Sequence, residues 1–265
     1  MNRLKKIFRE QNRKLLSIYF TAGYPRFDDT ISVLEALQNH GADLIEIGMP
    51  YSDPLADGPV IQQSSMQALS GGMSIPALFE QLKKFHESKK RNDNVPFLLM
   101  GYLNPVLQFG FDKFLREAKN TGIDGIIIPD LPLDEYEKVY GKLFKKYQLK
   151  KIFLITPETD EARIKRIDKL SDAFIYAVSS SSITGSDKNI AAQQTYFRKL
   201  KSLKLRNPIL VGFGIKDAGT FELATANAAG AIIGTAYIKM LAHSSDIDGD
   251  TRSFLNSIVK RGGDT

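Results

Sequence analysis

The sequence predicts a single (β/α)₈ barrel, of the TIM-barrel type, over residues 1–265, with an extra helix at its N-terminus. Three observations carry that reading. Eight short apolar runs alternate with longer amphipathic segments. The runs are nearly all-hydrophobic, as expected of parallel strands covered on both faces. The chain's 265 residues match the length of about 250 that such barrels use for one domain. A doubly wound open sheet is the alternative, but eight runs and the lack of an early G-x-G-x-x-G argue against it.

The elements follow in order. Met1–Gln11 is charged and amphipathic, with Leu4, Ile7 and Phe8 on one side, and is predicted to plug the N-terminal end of the barrel. Strand one is Leu16–Thr21. Asp28 or Asp29 is placed to cap a helix carrying Ile31, Leu34 and Leu37. Strand two is Leu44–Gly48. Ser74, with Pro76 in the first turn, opens a helix through Leu78, Leu82 and Phe85. Strand three is Phe97–Tyr102, and Asp112 precedes the helix of Phe114 and Leu115. Strand four is Gly125–Pro129, and Asp134 begins a helix with Tyr136, Val139, Leu143 and Phe144. Strand five is Ile152–Ile155, and Asp160 begins a helix with Ile164 and Ile167. Strand six is Phe174–Val178, followed by a helix over Ala191–Leu203. Strand seven is Ile209–Gly212, followed by a helix over Asp217–Ala226. Strand eight is Ala231–Gly234, and a helix over Thr251–Lys260 closes the chain. The segments NHGADLIEIG, NTGIDGIIIP and NAAGAIIGT each read helix end, glycine, strand. Gly41, Gly122 and Gly230 are expected just past helix ends, in the left-handed conformation.

Composition narrows the chemistry. With 43% hydrophobic and 25% charged residues, collagen, coiled coil and long disorder are excluded. Cysteine is absent, which removes disulfides, thiol nucleophiles and Cys-ligated zinc. His40, His86 and His243 are scattered and lack a metal-ligand spacing. Proton transfer then falls to Asp, Glu, Lys or Tyr. The net charge of +6 comes with short runs at Lys83-Lys84, Lys89-Lys90-Arg91, Lys145-Lys146 and Lys150-Lys151. They read as solvated helix faces and dipole complements, without the aromatic interleaving of a nucleic-acid surface. No signal-peptide pattern opens the sequence, and no run approaches the ~18 apolar residues of a membrane span. A soluble, cytoplasmic protein is expected.

Barrel sites lie at the C-terminal ends of the strands. In Leu44–Gly48, Glu46 interrupts an apolar strand, and with Ile45 and Ile47 packed outward it points into the barrel. Burial there raises its pKa, which suits a carboxyl that gives and takes protons near neutrality. A structural salt bridge is the alternative, but no strand offers an inward basic partner. The loop Met49–Pro59 follows, with three prolines, Asp53, Asp57 and Gly58. Such a stiff loop can hold Asp57 opposite Glu46. The residues alone leave open whether the two aspartates are instead turn formers or caps. Glycine-bearing segments end strands six, seven and eight: Ile183–Ser186, Gly212–Ile215 and Gly234-Thr235. Together they suit a phosphate at the barrel mouth. Tyr176 has inward parity, either near a substrate or as packing. Asp130 reads as a turn or cap residue.

These residues resemble a known family. IEIGMPYSDPLADGPVIQ (Ile45–Gln62) is similar to the signature of the tryptophan synthase alpha chain. The resemblance continues through YFTAGYP, GYLNPVLQFG, PDLP, ITG, GFGI and GAIIGTA, in order and over nearly the whole chain. It implies a TIM barrel that cleaves indole-3-glycerol phosphate, by retro-aldol chemistry, to indole and glyceraldehyde 3-phosphate. It implies Glu46 and Asp57 as catalytic carboxylates, and Thr184, Gly185, Gly214, Gly234 and Thr235 as phosphate-binding residues. Tyr176 matches the tyrosine near the substrate, and Asp53 falls on the loop that touches the beta chain. Tyr19, Met100 and Phe213 are candidates for the apolar indole slot. No cofactor is expected on this chain. Pyridoxal phosphate belongs to the partner beta chain, in an α2β2 heterotetramer. The absence of tryptophan suits an enzyme made when tryptophan is scarce.

One segment departs from the family. Val178–Gly185 carries serines where many members have an Arg and a Gly before the Thr-Gly pair. The serine-rich loop 179–187 reads as a lid ordered by ligand. Two other functions fit the residues less well. A sugar-phosphate isomerase commonly uses a Lys or Cys at a strand exit, but cysteine is absent and no strand carries an inward Lys. A barrel that only binds and activates a partner has no need of both Glu46 and Asp57.

Overall fold

A computed structural model describes residues 2–10, 13–54, 56–178, 187–212 and 214–259, with backbone only for 187–193. Among them, eight parallel strands close a barrel in chain order. The strands are β1 (Leu15–Thr21), β2 (Leu44–Gly48), β3 (Phe97–Met100), β4 (Gly125–Ile127), β5 (Lys150–Ile155), β6 (Ile175–Val178), β7 (Ile209–Gly212) and β8 (Gly230–Ile233). The helices are α1 (Arg3–Glu10), α2 (Asp29–His40), α3 (Pro59–Ser70), α4 (Ile75–Glu87), α5 (Leu103–Phe109), α6 (Phe111–Asn120) and α7 (Leu133–Glu135). After a π-helical turn at Tyr136–Tyr140 come α8 (Gly141–Tyr147), α9 (Glu161–Leu170), α10 (Asp187–Ser202), α11 (Ala218–Thr225), α12 (Thr235–Leu241) and α13 (Ile247–Ile258). All eight sequence-predicted strands are present, within a few residues of their expected ends.

The core has two layers because each strand is covered on both faces. Inside the barrel, Leu15, Leu44, Leu98, Ile127, Ile152, Phe174, Leu210 and Ile232 form one buried cluster. Leu4 and Ile7 of α1 belong to the same cluster. The N-terminal helix therefore plugs the barrel floor, as its amphipathic pattern predicts. Burying each of these two side chains contributes roughly 1.5–3 kcal/mol. Arg3 ties the plug down by pairing with Asp93 and Asp124. A second cluster, between strands and helices, holds the outward residues such as Ile45, Ile47, Leu99 and Ile126.

Helix boundaries follow local chemistry. Ser74 accepts a hydrogen bond from Ala77 N–H, and Asp160 from Arg163 N–H. Asp217 and Thr220 cap α11 reciprocally. Asp28 holds the cap position of α2 but makes no side-chain cap bond, and Asp29 folds back onto the backbone and guanidinium of Arg26. The closing helix starts earlier than predicted, capped by Asp246 on Gly249 N–H. Gly41 and Gly122 take φ values of 103° and 82°, as expected past a helix end. Gly230 does not. It opens β8, where a Cβ would lie 2.3 Å from the Leu15 carbonyl oxygen, so close strand contact demands the glycine.

Two basic runs depart from the solvated-face reading. The Arg91 side chain is only 4% exposed, paired with Asp124 at 2.8 Å and stacked 4.1 Å from the Phe97 ring centroid. Lys151 lies within β5 and is 3% exposed. It sits on the outward parity of β5, since its neighbour Ile152 belongs to the inner cluster. It does not reach the barrel interior.

Candidate active site

β2 sits between β1 and β3, in register with Tyr19 and Leu98 at the level of Glu46. Glu46 is 0% exposed. Ser17, on the same inner face of β1, donates a 2.7 Å hydrogen bond to Oε1. Oε2 is buried and has no partner. Burial pushes the carboxyl up to about 7, and the Ser17 bond opposes that shift. No ion pair reaches Glu46 among the described residues. The group is thus inward and poised near neutrality, as the strand pattern predicts.

Asp57 follows on the loop after β2 and is half-buried. The Tyr102 hydroxyl donates to its Oδ2 at 3.0 Å and accepts the Ala56 N–H at 3.1 Å. Tyr102 thereby stitches this loop to the exit of β3. Burial raises the Asp57 pKa, against the lowering effect of the Tyr102 bond. Gly58, not Asp57, is the cap residue of α3, and the Asp57 side chain faces Tyr102. Asp53 is exposed and bonded to the Ser52 hydroxyl. It lines a cleft of about 490 Å³ with Tyr51, Met73, Asn104 and Phe109.

Two tyrosines, Tyr19 buried and Tyr176 partly buried, sit at the barrel mouth, each using the space of a missing Cβ on the next strand. A Cβ on Gly48 would lie 2.1 Å from the Tyr19 hydroxyl, and one on Gly212 would lie 2.6 Å from the Tyr176 ring. Burial raises both phenols, and each is raised further by the charges of Asp57 and Glu46. Glu46, Asp57, Tyr19 and Tyr176 therefore share one electrostatic neighbourhood. Met100, partly buried, ends β3 beside them and touches both core clusters.

β7 and β8 are paired at Gly212 and Ile232, so Gly214 and Gly234 lie equally far beyond that pair. Around a Gly214 Cβ there is open space to 4 Å, and Gly234 is the cap position of α12, with Thr235 its first residue. Leading N–H groups of a helix lack intrahelical partners. Thr184, Gly185 and Phe213, with residues 179–186 of the serine-rich loop, lie outside the described residues.

Sequence reasoning missed two contacts. Ser17 is a small polar residue between the inward Leu15 and Tyr19 of β1, a signal that could have marked it. Tyr102 stood inside the quoted GYLNP segment without a role. Asp130 behaves as a cap, accepting the Leu103 N–H with both carboxylate oxygens at 3.0 and 3.1 Å. Among the described residues, no group of three or more His, Asp or Glu converges as metal ligands. Nor is any helix there long and apolar enough to cross a membrane.

The sequence model of the tryptophan synthase alpha chain family matches residues 5–259. A curated tryptophan synthase alpha chain from Flavobacterium johnsoniae is 49% identical, covering 97% of this chain and 100% of that protein. Another, from Christiangramia forsetii, is 52% identical over 90% of this chain and 92% of its own length. The crystal structure of tryptophan synthase subunit alpha from Legionella pneumophila superposes with a TM-score of 0.87, at 31% identity and 97% coverage of both chains. A ligand-free tryptophan synthase structure from M. tuberculosis gives 0.83 at 28% identity, covering 97% of each chain.

Proposed function

The chain belongs to the tryptophan synthase alpha chain family, and from that premise we propose that Glu46 and Asp57 divide the acid–base work of its reaction. It is a carbon–carbon lyase of tryptophan biosynthesis. It cleaves indole-3-glycerol phosphate to indole and glyceraldehyde 3-phosphate. The bond between indole C3 and the glycerol chain breaks, and its electron pair returns to the ring. C3 must gain a proton, and the adjacent side-chain hydroxyl must lose one as the aldehyde forms. Glu46 serves both steps in sequence, so its own protonation state is restored at the end of the cycle. Asp57 accepts the indole N–H and stabilises positive charge developing on the ring nitrogen.

One observation supports this reading above the rest: Glu46 Oε2 is buried without a partner in the barrel mouth. An unsatisfied carboxylate oxygen there carries a desolvation penalty that a purely structural residue would avoid. Gly214, Gly234 and Thr235, with Thr184 and Gly185, bind the phosphate in this scheme. Tyr19, Met100 and Phe213 flank the indole, and Tyr176 lies against the substrate.

The chain associates with a tryptophan synthase beta chain. We propose an α2β2 heterotetramer, with Asp53 and its exposed cleft at the contact. Pyridoxal phosphate is assigned to the beta chain and no cofactor to this one. A single barrel domain working in the cytoplasm completes the proposal. The test is indole release from indole-3-glycerol phosphate by Glu46→Gln and Asp57→Asn. Each loses about 10²-fold or more in kcat, the scale of general acid–base catalysis. Near-normal turnover in both variants refutes the assignment.

A further inference from the structure

Lys151 is an anomaly in this barrel. Its ammonium is buried on the outer face of β5, where a lysine costs more than a hydrophobic residue. No carboxylate lies within ion-pair distance of it among the described residues. Its Nζ instead donates to two backbone carbonyls, Ile128 at 3.1 Å and Ile152 at 2.8 Å. The Ile152 bond is local to β5. The Ile128 bond crosses to the turn that leads from β4 into the PDLP segment, which the reaction above does not use.

That turn is tight. The Ile128 carbonyl also accepts the Leu131 N–H at 3.3 Å, so residues 128–131 form one hydrogen-bonded β-turn. Asp130 sits inside it. Its carboxylate grips the Leu103 N–H, the first residue of α5, and Tyr102 is the cap residue of that helix. Tyr102 in turn donates to Asp57. Contacts therefore run from Lys151 through the 128–131 turn, Asp130 and Tyr102 to Asp57. Asp130 also contributes a favourable field at the Lys151 ammonium.

We propose that Lys151 is a positioning residue for Asp57: it pins the Ile128 carbonyl, and so the turn that sets Asp130 and the Tyr102 hydroxyl. This rests on the reading of Asp57 as a catalytic group. A charge buried against carbonyls gives little stability, because replacing it with an apolar side chain of similar length is often neutral or stabilising. Its yield is a fixed turn, and through it a fixed acceptor for the ring N–H.

The test uses the full chain saturated with its beta chain, assaying indole release by Lys151→Met, Asp130→Asn, the double variant and Asp57→Asn, with melting temperatures for all. In Lys151→Met, kcat falls about tenfold, KM stays within about twofold and the melting temperature holds or rises. In the double variant the loss is no larger than in Asp130→Asn alone, because both act on one chain of contacts. Full kcat in folded Lys151→Met overturns the proposal, as do additive losses in the double variant. Should Lys151→Met not fold, additivity between Asp130→Asn and Tyr102→Phe overturns it equally. Asp57→Asn separates the two levels. Retained activity there removes the catalytic reading itself, whereas its loss beside an active Lys151→Met removes only the positioning role.

Discussion

The Ser17 hydroxyl holds one oxygen of Glu46 at 2.7 Å and leaves the other bare. The bond favours the ionised carboxyl, and burial opposes it more strongly. Ser17→Ala removes the only counterweight, so the Glu46 pKa rises above about 7. The limb of the kcat–pH profile that reports Glu46 then moves to higher pH, while Glu46→Gln abolishes it. An unmoved limb in Ser17→Ala means that the profile reports another group.

The same carboxyl sets a pH dependence of stability. Its pKa in the folded chain is raised from 4.5 to about 7, so the folded state holds the proton more tightly than the unfolded one. Its favourable contribution is complete below pH 4.5 and is lost as pH rises through about 7. The full span is on the order of 3 kcal/mol. Lys151 acts oppositely: its pKa is lowered from 10.5 to about 7, and its contribution is lost as pH falls from 10.5 through 7. Denaturant titrations should therefore show Glu46→Gln gaining on the parent chain as pH rises from 4.5 to about 7. An equal difference between the two at pH 5 and pH 8 contradicts this.

Tyr102→Phe deletes a donor to Asp57 and an acceptor for Ala56 N–H at once. The Asp57 carboxyl rises further, since the Tyr102 bond is what holds it down. A loss of about tenfold or more in kcat is expected, because one hydrogen bond to a charged group is worth about 1.5–3 kcal/mol. Steady-state kinetics with intact melting behaviour checks it.

Glycine-to-alanine changes separate two kinds of close contact. At Gly48 the added Cβ meets the Tyr19 hydroxyl, the far end of a side chain that can swing away. About 1–3 kcal/mol is expected, with KM raised because Tyr19 shifts. At Gly230 the Cβ meets the Leu15 carbonyl oxygen at 2.3 Å, and backbone in a closed barrel cannot yield. Gly230→Ala should cost more than Gly48→Ala in urea titrations, and the reverse order contradicts the packing described here.

Leu4→Ala opens a hole between the plug and the barrel floor, and costs about 2–5 kcal/mol. The site lies at the opposite end, so KM stays unchanged. Thermal unfolding and KM measured on the same preparation check both halves.

Most of the fold was legible because parallel strands covered on both faces are uniformly apolar, and that pattern needs no tertiary knowledge. Glu46 was legible for the same reason, as the one charge in such a run. Tyr102 was not, because its contact with Asp57 depends on how two loops from different strands close. Lys151 was read as part of a solvated run, because sequence cannot tell that a neighbouring turn offers carbonyls to a buried ammonium. Gly230 carried a helix-end signal that the register of β1 against β8 overrode. Asp28 and Asp29 had capping chemistry, but Arg26 lies within reach of Asp29 and competes for it.

Among the described residues, Leu4 and Ile7 fill the floor of the barrel, so chemistry at Glu46 faces the opposite rim. Whatever settles over the rim, whether a loop or another subunit, thus governs admission and departure together.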